Sequence, residues 1–126
     1  MNIEHTAVNV ESPVEVAKWY VENLGLRIVF SMKEAPFTHF LADENGCMIE
    51  LYGNKQADIF DYKNMHPLML HLAFVSENPD NDRERLEKAG ASYIEEVKLP
   101  DGSHLVMMRD PWGLAIQFCK RGTPLV

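Results

Sequence analysis

The chain is poor in basic residues, in cysteine and in long apolar runs. Twelve Lys and Arg stand against nineteen Asp and Glu, a formal net charge of −7 at pH 7. No basic stripe is available to neutralise phosphates, so neither nucleic acid nor an anionic membrane surface is an expected partner. No stretch approaches the roughly 18 consecutive apolar residues that a spanning helix needs. The start, Met1-Asn-Ile-Glu-His-Thr6, has neither the basic nor the apolar region of a secretory leader. The two cysteines, Cys47 and Cys119, lack C-x-x-C spacing. They read as reduced thiols, and the expected location is cytoplasmic.

What is present is a globular composition and an internal repeat. With 126 residues and 46% hydrophobic side chains, the chain is long enough for a single domain with a real core. Asp43-Glu-Asn-Gly46-Cys-Met-Ile49-Glu50 recurs as Asp110-Pro-Trp-Gly113-Leu-Ala-Ile116-Gln117, each position displaced by one constant interval. Upstream, Glu4-His5-Thr6-Ala7-Val8 matches Leu70-His71-Leu72-Ala73-Phe74 at an interval one residue shorter. Each half therefore opens on a strand carrying His and closes on a strand carrying Glu or Gln.

The local pattern fills in both halves. Residues 3–10 alternate as a strand, with Val8 and Val10 on one face and His5, Ala7 and Asn9 on the other. Ser12-Pro13-Val14-Glu15 has the form of a capping box, and Gly25 is a natural helix stop. Between them Val14, Ala17, Val21 and Leu24 are the expected apolar face, flanked by Trp19 and Tyr20. Strands are expected over 26–32, 37–42 and 47–52, with Asn45-Gly46 as a hairpin turn. Residues 53–67 are polar and irregular. The second half repeats the order: a strand over 68–75, a weakly amphipathic helix from Asn78-Pro79 to Gly90, then strands over 93–99, 104–109 and 114–120. The expected class is α+β: two βαβββ modules in tandem, about 1–53 and 68–120, joined by a linker over 54–67. Together they would form a cup-shaped mixed sheet with the helices on its outer face.

Strand alternation then assigns faces. Cys47, Ile49 and Leu51 oppose Met48, Glu50 and Tyr52. Leu70, Leu72 and Phe74 oppose Met69, His71 and Ala73. Leu114, Ile116 and Phe118 oppose Ala115, Gln117 and Cys119. In each strand the wholly apolar face should pack against a helix, which leaves His5, Glu50, His71 and Gln117 on the other. Three of these are good metal ligands and the fourth is a possible one. Any one of them alone is more often a hydrogen-bonded structural residue; it is their repeated placement that points to a site. Glu50, between Ile49 and Leu51, requires a cation or strong donors if buried. It is also the only carboxylate of the four, and so the candidate catalytic base. Met48, Tyr52, Met69, Val106 and Met108 read as soft pocket walls or, equally, as plain core. His39, His66 and His104 have no repeat partner and read as surface or loop residues, and Trp112 as a pocket-rim or contact residue in a turn.

These residues resemble the vicinal oxygen chelate superfamily, which includes glyoxalase I, methylmalonyl-CoA epimerase, extradiol dioxygenases and the fosfomycin and bleomycin resistance proteins. The resemblance spans about residues 3–120. It is carried by Ile3–Val10, Asn23-Leu-Gly25-Leu, Met48-Ile-Glu50-Leu, Leu70–Phe74 and Asp110-Pro-Trp-Gly113-Leu-Ala-Ile-Gln117. It implies paired βαβββ modules around a divalent metal (Zn, Ni, Co, Mn or Fe) that chelates two neighbouring substrate oxygens. It also implies a homodimer with sites at or near the interface. Glyoxalase I is nearest in ligand pattern, which implies His5, Glu50, His71 and Gln117 as ligands, with Gln117 standing where that family usually has Glu. Asn9 stands where some bacterial glyoxalases have an Arg that helps to hold glutathione, while Asn54 matches an Asn found there. The implied activity is that of a metal-dependent lyase or isomerase. It would act on a hemithioacetal or 2-oxo compound through a metal-stabilised enediolate. The alternative is a non-catalytic small-molecule binder of the bleomycin resistance type. A dioxygenase is disfavoured, because its ligand set needs a carboxylate at the position of Gln117.

Overall fold

The computed structural model describes all residues from Met1 to Val126. The chain divides into two compact units, Met1–Phe60 and Asp61–Val126. The division falls inside the segment expected to be the linker. Each unit holds one helix and one four-stranded mixed sheet.

In the first unit the order is β1 (His5–Asn9), α1 (Pro13–Leu24), β2 (Arg27–Ser31), β3 (His39–Ala42) and β4 (Met48–Tyr52). The sheet order is β1-β4-β3-β2, with β1 parallel to β4 and the other pairs antiparallel. Val8, Val10, Leu41 and Leu51 are buried on the helix side together with Val16, Ala17 and Tyr20 of α1. The helix therefore buries Pro13, Val16, Ala17 and Tyr20, the i, i+3, i+4, i+7 stripe. The expected face through Val14 is displaced: Val14 is exposed, because it lies about 100° around the helix from Pro13. The capping box is also absent. Ser12 makes no side-chain cap bond, and only its carbonyl serves the helix, accepting from Val16 N at 2.9 Å. Gly25 does end the helix in the left-handed region, at φ 71°. Strand β3 starts two residues later than expected, since Phe37, at φ 56°, lies in a turn that donates back to Glu34 O. His39 is buried rather than on the surface, with Nδ1 2.6 Å from Phe37 O.

The second unit runs β5 (Leu72–Val75), α2 (Pro79–Lys88), β6 (Ser92–Lys98), β7 (His104–Arg109) and β8 (Ala115–Lys120), preceded by a short 3-10 helix, Tyr62–Asn64. Its sheet order, β5-β8-β7-β6, repeats that of the first unit, again with a parallel first-to-last pair. Leu86, Val106, Met108, Ile116 and Phe118 form its core. Strand β5 begins four residues later than expected. Its would-be beginning forms a turn in which Met69 N donates to His66 O and Leu68 N to His66 Nδ1, so those amides are not free for a ladder. In α2, Asn78 caps the helix by accepting from Asn81 N at 3.1 Å.

The Asp-x-x-Gly repeat is the same turn made twice. Asp43 Oδ1 accepts from Asn45 N and Cys47 N, both at 2.9 Å. Asp110 Oδ1 accepts from Trp112 N at 2.9 Å and Leu114 N at 3.0 Å. A carboxylate two residues before the backbone it binds fixes the chain reversal, and Gly supplies the positive φ that follows. In the second unit this turn is also a docking point. Arg109 donates to Gly113 O at 3.0 Å, and to Tyr62 O and Met65 O at 2.7 Å each. The backbone of Lys63 approaches so closely that a Cβ on Gly113 would lie 2.7 Å from its nitrogen.

This gives a matched pair of substitutions. Gly113 combines φ 102° with the Lys63 clash, whereas Gly46 has φ 88° and open space around it. Gly46→Ala is expected to cost about 1 kcal/mol. Gly113→Ala is expected to cost more, about 3 kcal/mol, because backbone must also shift. Urea unfolding of the two variants measures the difference. Equal losses would show that the Lys63 approach carries no energy.

Candidate functional site

The two units place their sequence-matched polar residues alike. In the first, Ala7 pairs with Glu50 across the parallel β1–β4 ladder, and His5 lies two residues earlier on the same face. In the second, Ala73 pairs with Gln117 across β5–β8, and His71 lies two residues before Ala73, just ahead of the strand. The helix side holds Leu51 in one sheet and Ile116 and Phe118 in the other, so all four polar residues lie on the side turned away from the helices.

Within the first unit, His5 Nε2 stands 3.2 Å from Glu50 Oε2. His5 Nδ1 is 2.5 Å from a carboxylate oxygen of Glu4. Both neighbours are carboxylate oxygens, which accept, so His5 lies between Glu4 and Glu50 with one ring nitrogen toward each. Within the second unit, His71 Nδ1 is 3.0 Å from Pro67 O, again an oxygen that only accepts. Each imidazole thus has an oxygen partner at Nδ1, as metal-ligating histidines commonly do. Gln117 Oε1 accepts from Cys119 Sγ at 3.3 Å, which orients the amide and leaves one oxygen lone pair. The first unit thus offers an imidazole and a carboxylate, and the second an imidazole and an amide oxygen, all donor types that borderline divalent cations accept.

The surroundings of Glu50 contain an aromatic wall that the sequence did not disclose. Phe40 on β3 pairs directly with Glu50 on β4. Its ring meets the His5 ring edge-on, at a centroid distance of 5.3 Å, and Phe30 of β2 meets Phe40 at 6.1 Å. Phe30 is about half exposed. The alternation within β2 and β3 is visible in sequence, but these partners follow only from strand register, which includes an irregularity between Ile28 and Phe30.

Other expected pocket residues fall in different places. Met48 and Tyr52 share the Glu50 face, as expected, opposite His5 and Asn9 respectively. Asn9 and Asn54 do meet, but as a loop clamp. Asn9 Nδ2 donates to Asn54 O at 2.9 Å and Ala57 O at 3.3 Å, and Asn9 Oδ1 accepts from Asn54 N at 2.8 Å. Asn54 Oδ1 in turn accepts from Gln56 N. The loop so held borders an open cleft of about 460 Å³ with Ala35 and Pro36. Met69 lies exposed in the turn before β5 rather than on a strand face. Val106 and Met108 pair with Phe118 and Ile116, so they face the helix as core, and Leu105 and Met107 take the Gln117 side. Trp112 is half-buried in the Asp110 turn. His104 is half-buried against Glu96 at 2.6 Å rather than loose on the surface.

Tandem βαβββ units of this topology define a known class of protein. The sequence matches the Glyoxalase/Bleomycin resistance protein/Dioxygenase superfamily over residues 2–118, and the chain belongs to it. Among solved structures, lactoylglutathione lyase from Agrobacterium tumefaciens is similar at 20% identity with a TM-score of 0.70, over 96% of this chain and 94% of that one. TnmS3, an antibiotic binding protein from Streptomyces sp. CB03234, is similar at 21% identity with a TM-score of 0.67, over 94% and 93%. A glyoxalase family protein from Enterococcus faecalis is similar at 21% identity with a TM-score of 0.72, over 94% and 97%. At these identities the likeness is one of fold. No curated protein sequence matches the chain significantly. No helix is long and apolar enough to cross a membrane.

Burial holds the Cys119 thiol above its ordinary value. A protonated thiol is the form that can donate to Gln117, so the shift and the hydrogen bond agree. Cys47 is exposed and Cys119 buried. At pH 8 a disulfide-type thiol reagent is expected to label Cys47 at least about tenfold faster than Cys119. Equal rates, read by mass spectrometry of the labelled peptides, would contradict the protected thiol.

Proposed function

We propose that the protein is a glyoxalase-type, metal-dependent isomerase or lyase that acts on a small carbonyl compound of hemithioacetal or 2-oxo type. His5, Glu50, His71 and Gln117 serve as ligands of one divalent metal. The observation that carries this reading is the pair of imidazoles, each with an oxygen partner at Nδ1 and each two residues before the Ala that pairs with a Glu or Gln. Packing alone gives no reason for that coincidence in both halves.

When bound, the metal supplies Lewis-acid polarisation of a substrate carbonyl. The residues of the chain do the rest. Glu50 takes the proton from the carbon next to that carbonyl and returns it to the neighbouring one, as the only carboxylate of the set. Glu4 and the Pro67 carbonyl keep the imidazoles in the tautomer that ligates. Phe40 and Phe30 supply an apolar wall that excludes water from the proton being moved and packs against the substrate side chain. Met48 and Tyr52 continue that wall, and Trp112 and Met69 belong to its rim. The working form is a homodimer, and the free thiols fit a reducing, cytoplasmic setting.

A second reading is favoured by one residue. Gln117 stands where a carboxylate completes a stronger ligand set, and the exposed Phe30 offers a stacking surface for a bound aromatic ring. A non-catalytic binder of small, apolar molecules uses both without any metal.

Metal content separates the two readings. Protein purified without chelator or histidine tag is expected to carry a transition metal, and His5→Ala to lose about one equivalent of it. Glu50→Gln is expected to lower turnover of a hemithioacetal by about 10²–10⁴-fold. If His5→Ala and Glu50→Ala both leave metal content and isomerase activity untouched, the enzymatic reading is wrong. If no metal binds even after incubation with Ni, Zn, Co and Mn, the binder is the better reading.

A further inference from the structure

On the helix side of the second sheet, one imidazole and two carboxylates reach a single point. Asp80 lies in the first turn of α2, Glu96 on β6 and His104 at the start of β7. One ligand-type atom from each lies within 4.8 Å of the other two. His104 Nε2 is 2.6 Å from Glu96 Oε2 and 4.0 Å from Asp80 Oδ1. We propose that Asp80, Glu96 and His104 form a second binding site, separate from the residues assigned above, for a divalent transition-metal cation such as Zn²⁺.

The argument begins with the imbalance at His104. Its Nε2 bears at most one proton and can donate to one carboxylate, yet two approach it. A cation at the centre meets a lone pair from all three at once, with water filling the remaining position. Two carboxylates this close also repel, and a dication removes that repulsion more fully than a singly charged imidazolium. Arg83 is engaged elsewhere: its Nε binds Glu87 at 2.8 Å, and its guanidinium lies 3.4 Å over the Tyr93 ring.

The set is also held in place by structure rather than by chance side-chain contact. Lys98 pairs with His104 and Glu96 with Val106, so the β6–β7 register puts Glu96 diagonally beside His104 on one face. The Asn78 cap fixes the first turn of α2, and with it Asp80. His104 has no counterpart in the first half of the repeat, so this site belongs to one unit only.

The test uses the whole protein freed of metal by a chelator. The double variant His5→Ala/His71→Ala removes the two imidazoles assigned to the proposed catalytic metal. It is titrated with zinc chloride by calorimetry and with manganese chloride by NMR. About one zinc per chain is expected to bind still, and His104→Ala in this background to weaken it at least about tenfold. Asp80→Asn, an exposed and conservative change, is expected to weaken it several-fold with an unchanged circular dichroism spectrum. Manganese is expected to broaden amide signals around residues 80, 96 and 104. Absence of zinc binding in the double variant, or binding indifferent to both His104→Ala and Asp80→Asn, would overturn the proposal, as would broadening centred elsewhere. Loss of metal from His5→Ala alone bears on the proposed function and leaves this site untouched.

Discussion

The parallel pairing of the first and last strand in each half is the constraint on which the rest depends. It sets Ala7 against Glu50 and Ala73 against Gln117. A slip by one residue would turn every side chain of a strand to the other face. In the first half it would carry Glu50 under α1 and expose Leu51, which is fully buried. Exposing one large apolar side chain costs about 1.5–3 kcal/mol, and an unpaired buried carboxylate costs several more. The two penalties add, so the packing of the core is what holds the polar residues on the opposite side. The Asp43 and Asp110 turns act in the same direction. Each feeds the last strand at a fixed register, through two backbone amides bound to one carboxylate oxygen.

Much of this was legible because period-two alternation and turn chemistry are local. The order of elements, both Asp-x-x-Gly turns, the Gly25 stop and the shared face of Met48, Glu50 and Tyr52 are all properties of short segments. What failed depended on contacts between segments. Residues 104–109, His-Leu-Val-Met-Met-Arg, are apolar at four consecutive positions. Alternation therefore gives no parity there, and only the pairing of Val106 with Phe118 shows that Val106 and Met108 are core. The α1 stripe was misplaced by treating Val14 as its start, although Pro13 itself is buried. The beginning of β5 gave way to a turn because His66 accepts the amides of Leu68 and Met69. Asn9 and Asn54 are expected pocket residues in sequence, but in the structure the polar atoms of Asn9 bind the backbone of Asn54 and Ala57, and Asn54 Oδ1 accepts from Gln56 N.

The same limit explains the aromatic wall. Phe30 and Phe40 are ordinary strand residues in sequence, and nothing local distinguishes them from core. They become part of a site only because Phe40 stands across from Glu50 and its ring meets His5 edge-on. An aromatic edge carries partial positive charge and its face partial negative charge. The contact thus fixes the plane of the His5 ring from the side, while Glu4 fixes it through Nδ1. Two independent contacts on one imidazole restrict its rotation more than either does alone, which is the preorganisation a ligating nitrogen needs.

The two halves share a register but differ in charge, and that difference has chemical consequences. The first contributes a carboxylate at Glu50, the second a neutral amide at Gln117. In the proposed function, a divalent cation with one carboxylate among its ligands would keep a net charge of about +1, whereas a second carboxylate would cancel it. The residual charge strengthens the pull on a carbonyl oxygen and favours substrates whose oxygens are anionic or become so. It also makes the roles of the halves unequal. An amide has no basic site at neutral pH, so in the proposed function proton transfer would fall to the half that holds Glu50. That half also carries the Phe30–Phe40 wall. The duplicated fold thus places a carboxylate in one half and a neutral amide in the matching position of the other.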